Sequence, residues 1–192
     1  MEFFFIHLDI KNFFGSINKS RVTRTLKSFF GYPEARRVAR ESTVRKPGSN
    51  SPEFMLPFGF VQSPIVASIC LFKSGLGRHL GTLAKSKDAV VSVYMDDIII
   101  SLKEKPLASQ VVADVKKAAV KSNFELNDAK EEGPSDEITS FNINLSHNHL
   151  AITSERIIQF ASDYANADND FQREGFKRYI ASVNPGQVKL LS

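Results

Sequence analysis

The sequence predicts an α+β domain in which antiparallel hairpins are combined with helices. Two pairs of short apolar runs are typical of hairpins: Ala89 to Tyr94 with Ile98 to Leu102, and Thr139 to Leu145 with His149 to Thr153. Other segments carry an apolar residue every three or four positions, which is the period of an amphipathic helix. Hairpins mixed with helices in this way indicate the α+β class.

The first elements of the chain are a strand and a helix. Phe3 to Leu8 is a continuous apolar run that predicts a buried strand ending at Asp9. Asn18 or Ser20 can cap a helix that runs towards Phe30, because both side chains accept hydrogen bonds from free backbone N–H groups.

The central segments predict two more helices separated by a loop. Pro33 can begin a helix that extends to about Thr43, and residues 46–52 have the composition of a loop. Ser63 followed by Pro64 predicts an N-cap and a first helical residue. The buried face of that helix is then predicted from its apolar spacing: Ile65, Ile69, Phe72, Leu76 and Leu80.

The rest of the chain is predicted to be helical outside the second hairpin. One amphipathic helix is indicated by Leu107, Val111, Val115 and Ala118. The tail from residue 154 is also predicted to be helical, with a break at residues 185–186, where proline is followed by glycine.

Composition excludes several classes of protein. The 192 residues are 42% hydrophobic, which is enough for a sizeable core and too much for a disordered chain. No apolar run of 18 residues could span a membrane, so we expect no membrane partner. The single cysteine, Cys70, excludes an internal disulfide and favours a reducing compartment, so we expect a cytoplasmic protein.

The charge is unevenly distributed. The net charge is only +4, but residues 19–46 contain nine basic and two acidic side chains, which gives +7 for this stretch and −3 for the remainder. Such a basic face could follow a phosphate backbone. It could equally be a pair of solvated helices.

Two adjacent carboxylates at the tip of the first hairpin suggest a metal site. Asp96 and Asp97 repel each other and aspartate is disfavoured in strands, so a divalent cation is an obvious compensating group. A turn-forming aspartate pair is the alternative. If the first strand neighbours this hairpin, Asp9 approaches Asp96, and such oxygen ligands suit Mg²⁺. Two ions there could activate a hydroxyl group and stabilise a leaving pyrophosphate.

Four segments occur in an order and spacing that identify a family. HLDIKNFFGSI (7–17), LPFGFVQSPIVASI (56–69), YMDD (94–97) and NFELNDAKEE (123–132) resemble the palm motifs of reverse transcriptases. The FFGSI segment and residues 176–192 resemble bacterial retron and defence-associated members. The resemblance implies a ferredoxin-like polymerase palm, with an antiparallel sheet and packed helices, in residues 1–153. It implies the start of a helical thumb in residues 154–192, with the fingers largely absent.

The resemblance implies catalytic roles for several residues. Asp9 and Asp96 would be the principal ligands of two Mg²⁺ ions, or of Mn²⁺, with Asp97 as the second acid of the motif. The carbonyl group of Ile10 would complete the site. Lys130 matches the lysine proposed to protonate or neutralise the pyrophosphate.

The resemblance also implies a nucleotide site. Backbone amides of Lys11, Asn12 and Phe13 would hold the triphosphate, and the ring of Phe14 would exclude a ribose 2′-hydroxyl. The remaining expected contacts are Phe58, Gly59, Gln62, Tyr94 and Met95. Phe58 stands where the family usually has glutamine, and Gln62 is the nearest polar substitute. Residues 140–146 lie where the primer grip would be.

The expected function is therefore RNA-directed DNA polymerisation from dNTPs, with an RNA template and a DNA or RNA primer. A structured noncoding RNA is a further option as a partner, and the oligomeric state stays open. The residues expected to bind nucleic acid are Arg21, Arg24, Lys27, Arg36, Arg37 and Arg40. Two alternatives stay open: a defence-type polymerase making untemplated or protein-primed DNA, and a truncated, inactive nucleic-acid-binding fragment.

Overall fold

The structure is a computed structural model that describes residues 3–191. Its strands are β1 (Phe4–Asp9), β2 (Val44–Arg45), β3 (Phe54–Met55), β4 (Ala89–Tyr94), β5 (Asp97–Leu102), β6 (Glu132–Ser135), β7 (Glu137–Ser140), β8 (Ile143–Ser146) and β9 (His149–Ile152). Its α-helices are α1 (Lys19–Phe30), α2 (Tyr32–Ser42), α3 (Ser63–Phe72), α4 (Gly75–Leu83), α5 (Lys105–Lys121), α6 (Ser154–Ala165) and α7 (Asp170–Val183). Short 3₁₀ turns cover Phe14–Ser16, Asp128–Lys130 and Pro185–Leu191.

The central element is a four-stranded antiparallel sheet in the order β4-β5-β1-β6. This confirms the predicted α+β class and the first predicted hairpin. The predicted first strand is also confirmed, since β1 ends at Asp9 and lies between β5 and β6.

The two faces of this sheet differ because side chains alternate along a strand. In β5, Ile98, Ile100 and Leu102 are buried in the main hydrophobic core, together with Ile6 and Leu8 of β1. The helices α1 to α5 contribute to the same core and so form a helix layer on that face. Asp9 and Asp97 belong to the alternate positions and therefore lie on the other face.

The predicted helix caps are partly confirmed. Asn18 caps α1, because its side chain accepts a hydrogen bond from the Arg21 backbone N–H. Ser63 is not an N-cap as predicted: it is the first residue of α3, it is fully buried, and its side chain caps nothing.

The predicted long helix after Pro64 is two helices with a different buried face. Ser74 interrupts it and caps α4 through a hydrogen bond from the Gly77 backbone N–H. Ile65 and Phe72 are exposed, whereas the predicted positions Leu76 and Leu80 are buried. The α3 residues that face the core are Val66, Ala67, Cys70 and Leu71. Nearly every α3 residue is apolar, so the spacing did not define one face.

The second predicted hairpin is a three-stranded sheet, β7-β8-β9. The strand predicted from Thr139 to Leu145 is divided by a turn at Phe141 and Asn142, both of which have positive φ angles, 54° and 60°. A turn of this kind reverses the chain, so β7 and β8 pair with each other.

Residues beyond β9 form helices α6 and α7 and the last 3₁₀ turn, as the sequence predicts. They have their own small hydrophobic cluster, which includes Ile157, Phe160 and Ile180 together with Ile152 of β9. None of the helices in residues 3–191 is long and apolar enough to cross a membrane.

Candidate active site

Asp9 and Asp97 are direct cross-strand partners in the β1–β5 ladder. β4 and β5 are joined by a two-residue turn, Met95-Asp96, in which Met95 has a φ of 53°. The Ile10 backbone N–H donates a hydrogen bond of 2.8 Å to the Asp96 carbonyl oxygen, which ties the turn to the end of β1. The structure therefore brings together the three carboxylates that the sequence placed 87 and 88 positions apart.

Asp9 is held by two side chains from the segment before β6. Asn127 Nδ2 donates to Asp9 Oδ1 over 3.2 Å, and Lys130 Nζ lies 3.1 Å from Asp9 Oδ2. The Asn127 backbone N–H also donates to the Asp9 carbonyl oxygen. The hydrogen bond and negative charge of Asp9 raise the pKa of Lys130 above its ordinary value, so its ammonium group stays protonated at neutral pH. Asn127 was not among the predicted site residues.

His7 is a second residue that the sequence reasoning did not select. Its Nε2 lies 2.7 Å from Oδ1 of Asp97, on the same sheet face two residues before Asp9. The ring is 8% exposed, and its Nδ1 is buried with no partner among residues 3–191. The signal was present in the sequence, because a histidine at an alternate position of an apolar strand faces the same side as the terminal aspartate.

Asp96 lies in a field of like charge. Its pKa is raised, first by burial and then by the neighbouring carboxylates of Asp97 and Asp9. Ionisation of Asp96 is therefore less favourable than that of a solvated aspartate, and a nearby cation would offset this cost.

The donor set fits Mg²⁺. No three histidine, cysteine, aspartate or glutamate side chains in the described part of the chain form a metal-binding group by themselves. Mg²⁺ does not need one, because it binds one or two carboxylates and takes its other oxygens from water and phosphate. The Ile10 carbonyl oxygen accepts no hydrogen bond within residues 3–191 and is a free oxygen donor. The ammonium group of Lys130 now lies where an ion would contact Asp9, so it would have to move.

The backbone after β1 only partly matches the predicted triphosphate site. The Lys11 backbone N–H already donates to the Glu125 carbonyl oxygen over 2.8 Å, so the prediction is wrong for this amide. The amides of Asn12 and Phe13 donate to no acceptor within residues 3–191 and stay available. A Cβ at Gly15 would lie 2.4 Å from the Asn12 side-chain oxygen, so a larger residue there would displace the Asn12 side chain.

Phe14 and Phe58 form an aromatic wall beside this backbone. Their rings meet edge to face, with centroids 6.0 Å apart, and the Phe14 ring also lies 5.6 Å from the ring of the buried Phe13. Phe58 is 89% exposed, and Gly59 has a φ of 97°, which only glycine adopts readily. Gln62 is half-buried at the start of α3, and no hydrogen bond joins it to the aromatic wall.

Residues 2–145 match the family model described as reverse transcriptase (RNA-dependent DNA polymerase). The chain belongs to the reverse transcriptase family. No curated protein matches it significantly.

Solved structures of reverse transcriptases share the fold at low sequence identity. A Candida albicans telomerase in complex with a fragment of telomeric RNA aligns with a TM-score of 0.63 and 11% identity, covering all of this chain and 38% of that one. A Candida tropicalis telomerase aligns with a TM-score of 0.58 and 12% identity, covering 76% and 32%. A foamy viral protease-reverse transcriptase in complex with an RNA/DNA hybrid aligns with a TM-score of 0.56 and 16% identity. That alignment covers 92% of this chain and 21% of the foamy viral protein. The chain thus spans well under half of each of these proteins.

The YMDD segment (94–97) of this reverse transcriptase family member contacts the turn that precedes β8. The exposed ring of Tyr94 meets the ring of Phe141 edge to face, with centroids 5.4 Å apart. Met95 is half-buried and lines a pocket of about 340 Å³ beside α3 and α4. Phe141 was not among the predicted site residues, although it lies within the predicted primer-grip segment.

The six predicted nucleic-acid-binding residues divide into three groups. Arg24, Lys27, Arg36 and Arg40 are exposed and have no acidic partner in residues 3–191. Arg37 lies between Glu34 and Glu41, whose hydrogen bonds and charges raise its pKa, so part of its charge is neutralised. Arg21 is not the exposed contact that was predicted: it is half-buried and donates to the Ser122 carbonyl oxygen.

Proposed function

We propose that this chain is the palm of an RNA-directed DNA polymerase, which extends a primer 3′-hydroxyl with dNTPs. The observation that carries the proposal is the cross-strand pairing of Asp9 with Asp97, with Asp96 in the adjoining turn. Membership of the reverse transcriptase family supports the same reaction.

Asp9, Asp96 and the Ile10 carbonyl group would hold Mg²⁺, or Mn²⁺ in its place, with Asp97 as an additional acid. When bound, two such ions lower the pKa of an attacking hydroxyl and stabilise the charge of a leaving pyrophosphate. Asn127 orients Asp9 by donating to Oδ1, and His7 holds Oδ1 of Asp97. Lys130, kept protonated beside Asp9, would supply a proton or a positive charge to the pyrophosphate.

Sugar selection is assigned to the aromatic wall. The Phe14 ring packs against the ring of the buried Phe13 and against the exposed ring of Phe58. A fixed aromatic face next to the free amides of Asn12 and Phe13 would collide with a ribose 2′-hydroxyl. The expected substrates are therefore dNTPs.

The expected partners are an RNA template and a DNA or RNA primer. Two of the similar structures contain telomeric RNA or an RNA/DNA hybrid. This chain spans 38% and 21% of those two proteins. The proposal of polymerisation therefore rests on the carboxylate site of this chain and not on the other parts of those proteins.

The direct test is incorporation of labelled dNTPs on a primed RNA template with Mg²⁺, compared with the Asp96→Asn/Asp97→Asn variant. The proposal predicts extension that requires both the divalent ion and the carboxylates. Equal extension by the variant would overturn the metal assignment.

A defence-type or retron-type polymerase is the second candidate. Phe58 favours it, because replacing the usual glutamine by an exposed aromatic ring removes a polar contact to the nucleotide. Products that are made without RNA, or that are attached to protein, would support untemplated or protein-primed synthesis. Sequencing the products with and without added RNA distinguishes the two candidates, and a co-purifying structured RNA would support the retron type.

Binding without turnover is the third candidate. Lys130 neutralises Asp9 in this conformation, and four arginines and lysines of α1 and α2 are unpaired within residues 3–191. Salt-dependent binding of RNA, with no incorporation at any divalent-ion concentration, would favour this reading.

A further inference from the structure

The basic residues of α1 and α2 surround a groove. It has a volume of about 960 Å³, and its charged lining residues are Lys19, Arg24, Lys27, Arg36, Arg37 and Arg40. No acidic side chain lines it. Glu34 and Glu41 partly neutralise Arg37, whereas the other five basic residues have no acidic partner within residues 3–191, so the groove presents a local positive potential.

A second basic groove lies on the other side of Arg24, which lines both. It has a volume of about 520 Å³ and is also lined by Lys73, Arg78 and Lys121, with no acidic side chain. These three residues come from the α3–α4 junction, α4 and the end of α5, so only the tertiary structure places them beside α1. The two grooves form one basic surface, which we call the back surface.

Arg21 lines the second groove and has unsatisfied hydrogen-bonding capacity. Its guanidinium group stacks on the Phe124 ring at 4.4 Å from the centroid and donates to the Ser122 carbonyl oxygen. Its Nη1 is buried with no partner among residues 3–191. Arg21 therefore adds a positive charge to the wall of the second groove, although its Nη1 is itself shielded from solvent.

Exposed aromatic rings border the back surface. Phe29, Phe30 and Tyr32 are 52%, 59% and 52% exposed at the turn between α1 and α2, and Tyr32 lines the first groove. Lys73 Nζ lies 4.9 Å from the centroid of Phe29. A basic groove with free aromatic faces is the arrangement by which proteins bind unpaired polynucleotide strands, because the phosphates follow the charges and the bases stack. A duplex offers no free base faces to such rings.

The back surface is separate from the candidate active site. It is formed by α1 to α5, the helix layer that packs on one face of the central sheet. Asp9 and Asp97 lie on the opposite face. A strand bound there would not occupy the cleft in which the primer terminus is expected.

We propose that the back surface binds a single-stranded segment of polynucleotide, as a second nucleic-acid site distinct from the primer–template site. The proposal goes beyond the polymerase function and does not depend on it, since binding requires neither the carboxylates nor a metal ion. RNA and DNA share the phosphate and base chemistry that the surface recognises, so the experiment compares them.

The test is fluorescence anisotropy of the full chain with 20-nucleotide oligo(U), oligo(dT) and a blunt duplex, in EDTA, without nucleotides, across a salt series. Tight binding of either single strand over the duplex is expected. In Arg24→Gln/Arg36→Gln, the slope of log K against log salt should fall by about 1.4, because each phosphate contact on a single strand contributes about 0.7. Lys85→Gln/Lys87→Gln removes the same charge from an exposed turn before β4 and should leave the slope unchanged.

Tyr32 provides a second pair of variants that keeps the net charge. Tyr32→Leu should weaken single-strand binding about fivefold or more, the effect of losing one stacked base, while Tyr32→Phe retains the ring and the affinity. Circular dichroism of each variant checks that the fold is kept.

Four outcomes would overturn the proposal. The first two are equal affinity for duplex and single strand, and an equal fall of the salt slope in the Lys85→Gln/Lys87→Gln control. The third is equal affinity of Tyr32→Leu and Tyr32→Phe for the single strand. The fourth is displacement of the oligonucleotide by polyglutamate of matched charge as efficiently as by unlabelled oligo(U). The last would indicate an acidic protein as the occupant. Because no metal or nucleotide is present, absence of polymerase activity leaves the result unaffected.

Discussion

His7 and Asp97 are joined across the two central strands of the sheet, with 2.7 Å between His7 Nε2 and Asp97 Oδ1. Asp97 is one of the three carboxylates of the candidate site, and His7 is almost buried beneath it. The contact fixes one oxygen of Asp97 and leaves Oδ2 for other partners. It also means that the carboxylate site includes a histidine two residues before Asp9 on the same strand.

Replacing His7 by phenylalanine should destabilise the protein, because the ring volume is retained while the Asp97 carboxylate loses its hydrogen-bond partner. We expect the free energy of unfolding in urea to fall by about 1.5–3 kcal/mol, the range for hydrogen bonds to charged groups. His79→Phe is the control, since His79 lies in α4 and forms no hydrogen bond within residues 3–191. An equal loss in both variants would show that the Asp97 contact is not the cause.

Asp96→Asn should stabilise the metal-free protein at neutral pH. Folding raises the pKa of Asp96 above 3.8, first through burial, so the folded state loses stability as pH rises through that raised pKa. Asparagine carries no charge and avoids this loss. We expect the free energy of unfolding to rise by less than about 1 kcal/mol, because solvent screens the site. Urea titrations in EDTA at pH 3 and pH 7.5 should show the advantage only at the higher pH. Asp88→Asn, at an exposed turn, is the control, and a benefit of equal size at both pH values would contradict the prediction.

Lys130→Met should increase the affinity of the free protein for a divalent ion. The ammonium group now contacts Asp9 Oδ2 and competes with any cation for that oxygen. We expect an affinity gain of about two- to fivefold, the range for a solvent-screened ion pair, in Mn²⁺ titrations followed by electron paramagnetic resonance. Lys116→Met is the control, because Lys116 pairs with Asp128 and Glu131 instead. Equal or weaker binding by Lys130→Met would show that the two cations do not compete.

Phe14→Ala should relax the choice of sugar if the aromatic wall excludes a 2′-hydroxyl. We expect the ratio of kcat/KM for dCTP over CTP to fall at least tenfold, whereas Phe14→Tyr keeps the ring and the ratio. Phe58→Gln should reduce the ratio less, since Phe14 keeps its own ring and its contact with the buried Phe13. An unchanged ratio in Phe14→Ala would remove Phe14 from sugar selection.

Phe141→Asn should separate the role of the turn from the role of the ring. Asparagine tolerates the φ of 54° better than phenylalanine, so stability should be maintained or improved. Loss of the ring removes the contact with Tyr94, and we expect weaker binding of a primed template with little change in dNTP affinity. Anisotropy of the primer–template and KM for dNTPs measure the two effects. A matched loss of both would contradict a specific role near the primer.

Short-range sequence patterns predicted most of the secondary structure correctly. They failed where one segment was compatible with more than one structure. β1, the β4–β5 hairpin and the Asn18 cap follow from short-range preferences and are confirmed. The buried face of α3 was predicted wrongly because almost every residue there is apolar. The turn at Phe141 was missed because phenylalanine seldom adopts a positive φ.

The sequence by itself predicted the α+β class and membership of the reverse transcriptase family, and it singled out Asp9, Asp96 and Asp97 as candidate carboxylates. Motif order and spacing are properties of the chain alone, so they needed no coordinates. The tertiary structure alone decided what surrounds those carboxylates: His7 beneath Asp97, and Asn127 and Lys130 on Asp9. It also decided that Lys73, Arg78 and Lys121 extend the basic stretch of α1 and α2. The contacts around the carboxylates join residues 90 to 121 positions apart, and only strand register and chain packing bring such residues together.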